Sequence, residues 1–288
     1  MRVFVTGGSG YLGRAVIEVL TGQDIDVTAL ARTASSAAVV AGLGATPVQG
    51  SLTDTDVLRA AARAADGVLH LGVAYGPDVA AIDMAAADAM ADTGAYVHTG
   101  GVWVYGDTDG LVDESAPQRP PAITSWRAAN ETRVLERGGR LVMPGVVYGR
   151  SGGLVDQFLA TPGRQTGLVP VIGTGTQRWA LVHVEDVARL YILALHAVAG
   201  AVYAGVTENV PMADMSQAVA TSVGGRVEEL PYAVAAARMG PIAEAFSLDQ
   251  RISSARATAE LGWSPTHLDA VDELTKPSVL PTRQSSGW

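Results

Sequence analysis

The chain has 288 residues, 48% of them hydrophobic and only 17% charged, enough apolar material to fill the core of one large domain or two closely joined ones, which excludes a disordered or fibrous protein. Its 20 basic and 29 acidic residues leave a formal charge of -9 with no basic tract, so nucleic acid is not an expected partner. Without cysteine there are no disulfides, thiolate zinc sites, iron–sulfur clusters or cysteine nucleophiles.

Met1 runs straight into "RVFVTGG" with no basic leader or cleavage site, and the expected location is the cytoplasm. Short β-rich runs then alternate with alanine-rich stretches. Strands are expected at 2–5, 26–30, 45–49, 67–71, 95–99 and 140–143, and helices near 11–21, 35–43, 54–64, 78–92 and 125–137. Six strands joined by crossover helices make an α/β fold of Rossmann type, a doubly wound parallel sheet. Residues 1–150 are therefore read as the dinucleotide-binding domain.

After Pro144 the composition shifts to glycine-rich loops, "YGRSGG" and "IGTGTQ", with short strand signals. Residues 151–180 and 206–288 are read as a smaller substrate-binding lid over the carboxyl ends of the strands, with 181–205 returning to the main sheet. The apolar stretch 187–206 is interrupted by Arg189, His196 and glycines, so it reads as a buried helix followed by a strand, not a membrane span. The tail after Lys276 reads as loop or disorder.

In "VFVTGGSGYLGRAVIEVL", Gly7, Gly10 and Gly13 stand between a strand and an amphipathic helix. The first glycine permits a tight turn, the second lets backbone amides approach a pyrophosphate, and the third lets helix and strand pack closely. Dinucleotide binding is expected, against the alternative of an ordinary strand-to-helix turn. The second strand ends in Ala31 and Arg32, with Ser35 and Ser36 following, where a cofactor with a free 2′-hydroxyl meets Asp or Glu. That favours NADP(H) over NAD; the alternative for Arg32 is a solvated surface residue.

These residues resemble the short-chain dehydrogenase/reductase superfamily in its extended, epimerase/dehydratase-like form. The resemblance runs from "VTGGSGYLG" through "ADGVLHLGV", "VWVYG", "ESAPQRP", "VVYG" and "RWALVHVEDVA" to "LGWSP". It implies a cofactor cradle that includes Thr6, Tyr11, Leu12 and Leu71 with the three glycines, and a dimer paired through the helices near 78–92 and 125–137. It also implies a Ser or Thr with a Tyr-x-x-x-Lys motif, and here this chain departs. Aligning "WRAANE" puts Arg127 at the lysine position, Ile123 at the tyrosine position and Gly101 at the serine position, and no Tyr lies between 106 and 147. The chain reads as an atypical member without the usual proton donor.

Arg127 then either bonds the nicotinamide ribose or is an exposed first-turn residue; its pKa is too high for a general acid. Thr99, ending the fifth strand, either bonds nicotinamide or substrate, or caps a turn. Tyr105 and Tyr148 are candidates to replace the lost acid, with buried core tyrosine as the alternative. Tyr75, Trp103 and Trp126 are expected at the substrate pocket, and Arg178 matches a diphosphate-gripping position of nucleotide-sugar enzymes. His183 is expected as a hydrogen-bonded core residue. The histidines at 70, 98, 183, 196 and 267 show no metal spacing, and no GxSxG elbow is present, so neither a metal centre nor hydrolase chemistry is expected. The expected activity is NADP-dependent hydride transfer to a small carbonyl, imine or activated alkene. An NADP-binding sensor or scaffold without catalysis, and a cofactor-bound isomerase, cyclase or lyase, are the alternatives.

Overall fold

A computed structural model describes residues 1–92 and 94–277; the expectation for the tail falls largely on 278–288, outside the described residues. In the first half, β1 (Arg2–Thr6), α1 (Tyr11–Thr21), β2 (Asp26–Ala31), α2 (Ala34–Gly42), β3 (Thr46–Gln49), α3 (Thr55–Arg63) and β4 (Gly67–His70) alternate strictly. They continue into α4 (Val79–Met90), β5 (Ala95–Thr99), α5 (Arg127–Glu136) and β6 (Arg140–Pro144). The periodicity explains why: Val3, Phe4 and Val5 are wholly buried, as a parallel strand covered on both faces requires, while α1 buries one face through Ala15, Val16, Ile17 and Leu20.

Beyond β6 come β7 (Val146–Tyr148), α6 (Gly153–Val155), a π turn and α7 (Thr161–Thr166). Next are β8 (Leu168–Ile172), β9 (Arg178–His183), α8 (Val184–Ala194), β10 (Val202–Gly205), β11 (Glu208–Pro211), α9 (Met212–Val223) and β12 (Arg226–Leu230). Four short helices close the described chain: α10 (Tyr232–Met239), α11 (Ile242–Phe246), α12 (Ala255–Leu261) and α13 (Ala270–Thr275).

The main sheet has the order β10-β6-β5-β4-β1-β2-β3 and is parallel throughout. It is the doubly wound sheet expected, extended by a seventh strand. The stretch 181–205 divides: α8 packs on α1 and β6 and leads into β10, whereas β9 pairs with β7 and β11 in a separate three-stranded sheet. An apolar strand does not encode its pairing partner, so sequence pattern alone assigns β9 to the wrong sheet. A third small sheet, β12-β8, and the aromatic cluster of Trp179, Phe246 and Phe158 build the core of the smaller C-terminal part. No helix among the described residues is long and apolar enough to cross a membrane.

The sheet order reverses at β1, whose neighbours are β4 and β2. The crevice at the carboxyl ends of β1 and β4 is where such sheets hold ligands.

Candidate functional site

At that crevice Gly7 has φ 71°, and a Cβ there would lie 2.7 Å from the Gly72 amide nitrogen. A Cβ at Gly13 would lie 2.1 Å from the Gly7 carbonyl oxygen, so side chains at either position would force strand, helix and the loop after β4 apart. Gly10 occupies the N-cap position of α1 without a side-chain cap, leaving the first N–H groups of that helix free for an anion. A groove of about 730 Å³ opens in front of them, lined by Gly7, Gly10, Leu12, Arg32, Ser36 and Leu71 among others. These residues fit a dinucleotide: a close glycine backbone, a helix N-terminus, and an exposed Arg32 at the end of β2.

Three expectations here are corrected. Ser35 is exposed and does not line the groove; Thr33 and Ser36 do, and the two close a capping box at the start of α2. Thr6 lies behind the groove, where its hydroxyl accepts from the Gly72 N–H (3.1 Å) and pairs with His70 Nδ1 (2.6 Å), fixing the two loops to one another. Tyr75 is 91% exposed on the wall of this groove and is not part of the smaller pocket.

That smaller pocket, about 300 Å³, lies on the far side of Tyr11, which lines both cavities. The Tyr11 hydroxyl donates to the Gly149 carbonyl (2.7 Å), and its ring packs so closely on Gly152 that a Cβ there would be 2.5 Å away. Gly100 and Gly101 form the floor, Trp103, Val146, Val147 and Leu154 the apolar walls, and Thr124 and Arg127 the polar edge. Arg127 donates to the Thr99 carbonyl (2.9 Å) and lies 4.6 Å over the Trp126 ring. Trp126 thus supports Arg127 without lining the pocket. Ile123, at the place of the usual tyrosine, is 37% exposed and has no proton to transfer.

The two phenols that could replace the lost acid, and the threonine expected to bond nicotinamide or substrate, are placed elsewhere. The Thr99 hydroxyl donates to the His70 carbonyl (2.8 Å) and accepts from Tyr191 (3.0 Å), so it is committed to the scaffold and absent from the pocket wall. Tyr105 is buried in the core, its hydroxyl 3.5 Å from the Glu114 carbonyl. Tyr148 is fully buried with its ring edge-on to His183 at 5.3 Å. Burial pushes both phenols well above their ordinary range. Both face apolar cores because strand alternation and the turn after β5 point them inward. Arg178 uses its backbone N–H on Asp249 (2.8 Å), and its side chain lines neither cavity, so no diphosphate grip is assembled.

Beneath the floor lie groups that no motif announced. Asp83 of α4 accepts from the Asn130 amide (2.8 Å) and faces His70 Nε2 and His98 Nε2, each at 3.5 Å. Tyr96 pairs with His98 Nδ1 at 3.0 Å. Burial works against ionisation of Asp83, but the His70 and His98 imidazoles facing it at 3.5 Å and the Asn130 hydrogen bond outweigh it and hold the carboxyl at about 2. Burial pushes His98 down to about 3, so it is neutral. The fold brings these three side chains together from distant segments, with possible ligand atoms within 4.8 Å of one another, although their sequence spacing carries no metal signature. Glu131 of α5 is only 2% exposed, and neither carboxylate oxygen completes a hydrogen bond among the described residues. Burial pushes it up to about 7, against the pull of Arg127 and the nearby Gln118 amide. His183 is a buried scaffold residue, accepting from the Glu185 N–H and standing 3.2 Å from Glu273.

A model of the NAD dependent epimerase/dehydratase family matches residues 3–204. The chain is 26% identical over 295 residues to an uncharacterized protein of Schizosaccharomyces pombe, covering 97% of this chain and 100% of the other. It is 27% identical over 283 residues to a 2-alkyl-3-oxoalkanoate reductase of Stenotrophomonas maltophilia, covering 85% of this chain and 82% of that protein. Among solved structures, a dTDP-glucose 4,6-dehydratase double mutant from Streptomyces venezuelae with NAD bound superposes with a TM-score of 0.79 at 22% identity over 96% of both chains, a likeness of fold.

Proposed function

The chain belongs to the NAD dependent epimerase/dehydratase family, and from that premise we propose that it is an NADP(H)-dependent oxidoreductase that transfers hydride to a carbonyl, imine or activated alkene of a small molecule. The observation that carries this reading is Tyr11, a shared wall of the long groove and the small pocket. A dinucleotide lying along the groove would bring its reactive ring to the pocket mouth. Bound there, the reduced nicotinamide supplies a hydride.

The residues of the chain supply binding and orientation. Gly7, Gly10 and the N-terminus of α1 receive the pyrophosphate, and Arg32 the 2′-phosphate. Gly101 lets a substrate approach closely, since a Cβ there would meet open space, whereas Gly100 makes room for Met143 and Glu131 behind the floor. Arg127 keeps guanidinium donors beyond the one spent on Thr99, and these stabilise negative charge growing on a substrate oxygen. A guanidinium is no proton donor near neutrality, so a reduced carbonyl takes its proton from water, and an iminium needs none. The relative named as a 2-alkyl-3-oxoalkanoate reductase supports ketone reduction as the reaction type.

Titration with NADPH, NADP⁺ and NADH, followed by nicotinamide fluorescence, tests the reading. NADPH is expected to bind more tightly than NADH, and Arg32→Ala to weaken NADPH by roughly 1 to 3 kcal/mol with little effect on NADH. Binding of no nucleotide would remove the oxidoreductase.

A further inference from the structure

The pocket at the end of the groove says more about what is reduced. At about 300 Å³ it stands at the small end of ligand cavities, which span roughly 300–1,000 Å³. Its walls are apolar, and among the described residues Arg127 is its single charged member. Arg127 forms no ion pair among the described residues: one N–H goes to a backbone carbonyl, and its Cζ lies 4.6 Å from the Trp126 ring centroid. A half-buried cation without an anion is a costly arrangement in a folded chain.

The neighbouring acid does not relieve it. Glu131 lies one helical turn further along α5, with its Oε1 2.9 Å from where a Cβ on Gly100 would stand. Its oxygens make no bond to Arg127, and burial, with Asp83 nearby, pushes the carboxyl up to about 7. The pocket edge therefore carries a positive charge with no ion-pair partner among the described residues.

Resting on the hydride-transfer reading, we propose that this pocket takes a carbonyl compound bearing one negative charge, its anionic oxygen paired with Arg127 and its apolar body against Trp103, Val146, Val147 and Leu154. A guanidinium presents two parallel N–H groups, and an oxo acid offers a carboxylate oxygen and a ketone oxygen close enough to share them. Substrates carrying a diphosphate are disfavoured, since the pocket holds no second cation and Arg178 lies outside it.

A matched pair tests the charge alone: 3-oxohexanoate against methyl 3-oxohexanoate, titrated calorimetrically into protein saturated with NADP⁺, where no hydride is available. The acid is expected to bind at least about tenfold tighter than the ester, a gap of about 1.4 kcal/mol. Arg127→Gln should abolish that gap and Arg127→Lys should keep part of it, with thermal unfolding curves establishing that both variants are folded. Equal affinities, binding of neither compound, a gap that survives Arg127→Gln, or equal losses in the Gln and Lys variants would each overturn the proposal. Repeating the pair without nucleotide separates this inference from the one beneath it: a preference for the acid in a protein that binds no NADPH keeps the anion pocket and removes the hydride reading, while NADPH binding with no acid preference does the reverse.

Discussion

Two buried carboxylates under adjacent strand ends behave in opposite ways. Asp83 and Glu131 sit on α4 and α5, only 4% and 2% exposed, and burial penalises the charge of both. Asp83 has the Asn130 amide on one oxygen and imidazole nitrogens facing both, and it is ionised. Glu131 completes a hydrogen bond on neither oxygen, and its carboxyl is pushed up to about 7, so it keeps its proton in mildly acidic solution where Asp83 has long lost its own. Burial sets the penalty in each case, and the count of polar partners decides whether the charge survives it. One region thereby becomes a rigid clamp behind the cofactor turn, through His70 and Thr6, and the other leaves Arg127 without an ion-pair partner among the described residues beside the pocket.

The largest effect that would break this contrast is loss of the clamp. Asp83→Ala removes the anion that Asn130, His70 and His98 face and leaves their buried donors without an acceptor. It is expected to cost about 3–5 kcal/mol in urea denaturation, as for one member of a buried charge network. A cost below about 1 kcal/mol would mean that the three partners find other acceptors and that Asp83 is no hub.

Next in size is the response of Glu131 to pH. Its folded pKa is raised from 4.5 to about 7, so the native state holds a proton that the unfolded chain releases. The stability tied to that proton is fully present below the unfolded value and is lost as pH rises through the folded one. Over that window the loss is on the order of 3 kcal/mol. Glu131→Gln should therefore gain on the wild type by about that amount between about pH 4 and about pH 8.5, measured by urea denaturation at each pH. Asp83 has the opposite sign and a different window, contributing stability above its unfolded value of 3.8 that is lost as pH falls through about 2. A stability difference between Glu131→Gln and wild type that stays flat across neutral pH would sink the assignment of a neutral Glu131.

The legible parts of the molecule are the local ones. Six strands and five helices of the first half follow from runs of two kinds of apolar period, and the Gly7, Gly10 and Gly13 turn announces itself because each glycine answers a local steric demand. The place of Arg32 on the groove is legible for the same reason, being fixed by the strand that ends before it. What lay beyond reading was assembled across distance. Asp83, His98 and Asn130 meet only after three elements pack, and Thr124 reaches the pocket from a short turn whose sequence carries no signal. Thr99 and Tyr105 escape such a reading because a hydroxyl near a strand end is equally suited to a substrate or to a scaffold carbonyl, and Tyr148 because its ring packs in the core with its hydroxyl unpartnered among the described residues; only packing decides each case.

The smallest prediction sharpens the clamp to a single proton. For His98 to direct an N–H at Asp83, its proton must sit on Nε2, which leaves Nδ1 to accept from the Tyr96 hydroxyl at 3.0 Å. The same logic holds at His70, where Thr6 already accepts the Gly72 N–H and has its own hydroxyl proton free for Nδ1. Tyr96→Phe removes the donor to His98 and leaves a buried nitrogen without one, at a cost of about 1 kcal/mol. Nitrogen chemical shifts of the His98 ring should show the Nε2–H tautomer in the wild type. An Nδ1–H tautomer would turn a lone pair toward the Asp83 carboxylate, and the low pKa of Asp83 would then have to rest on Asn130 and His70 alone.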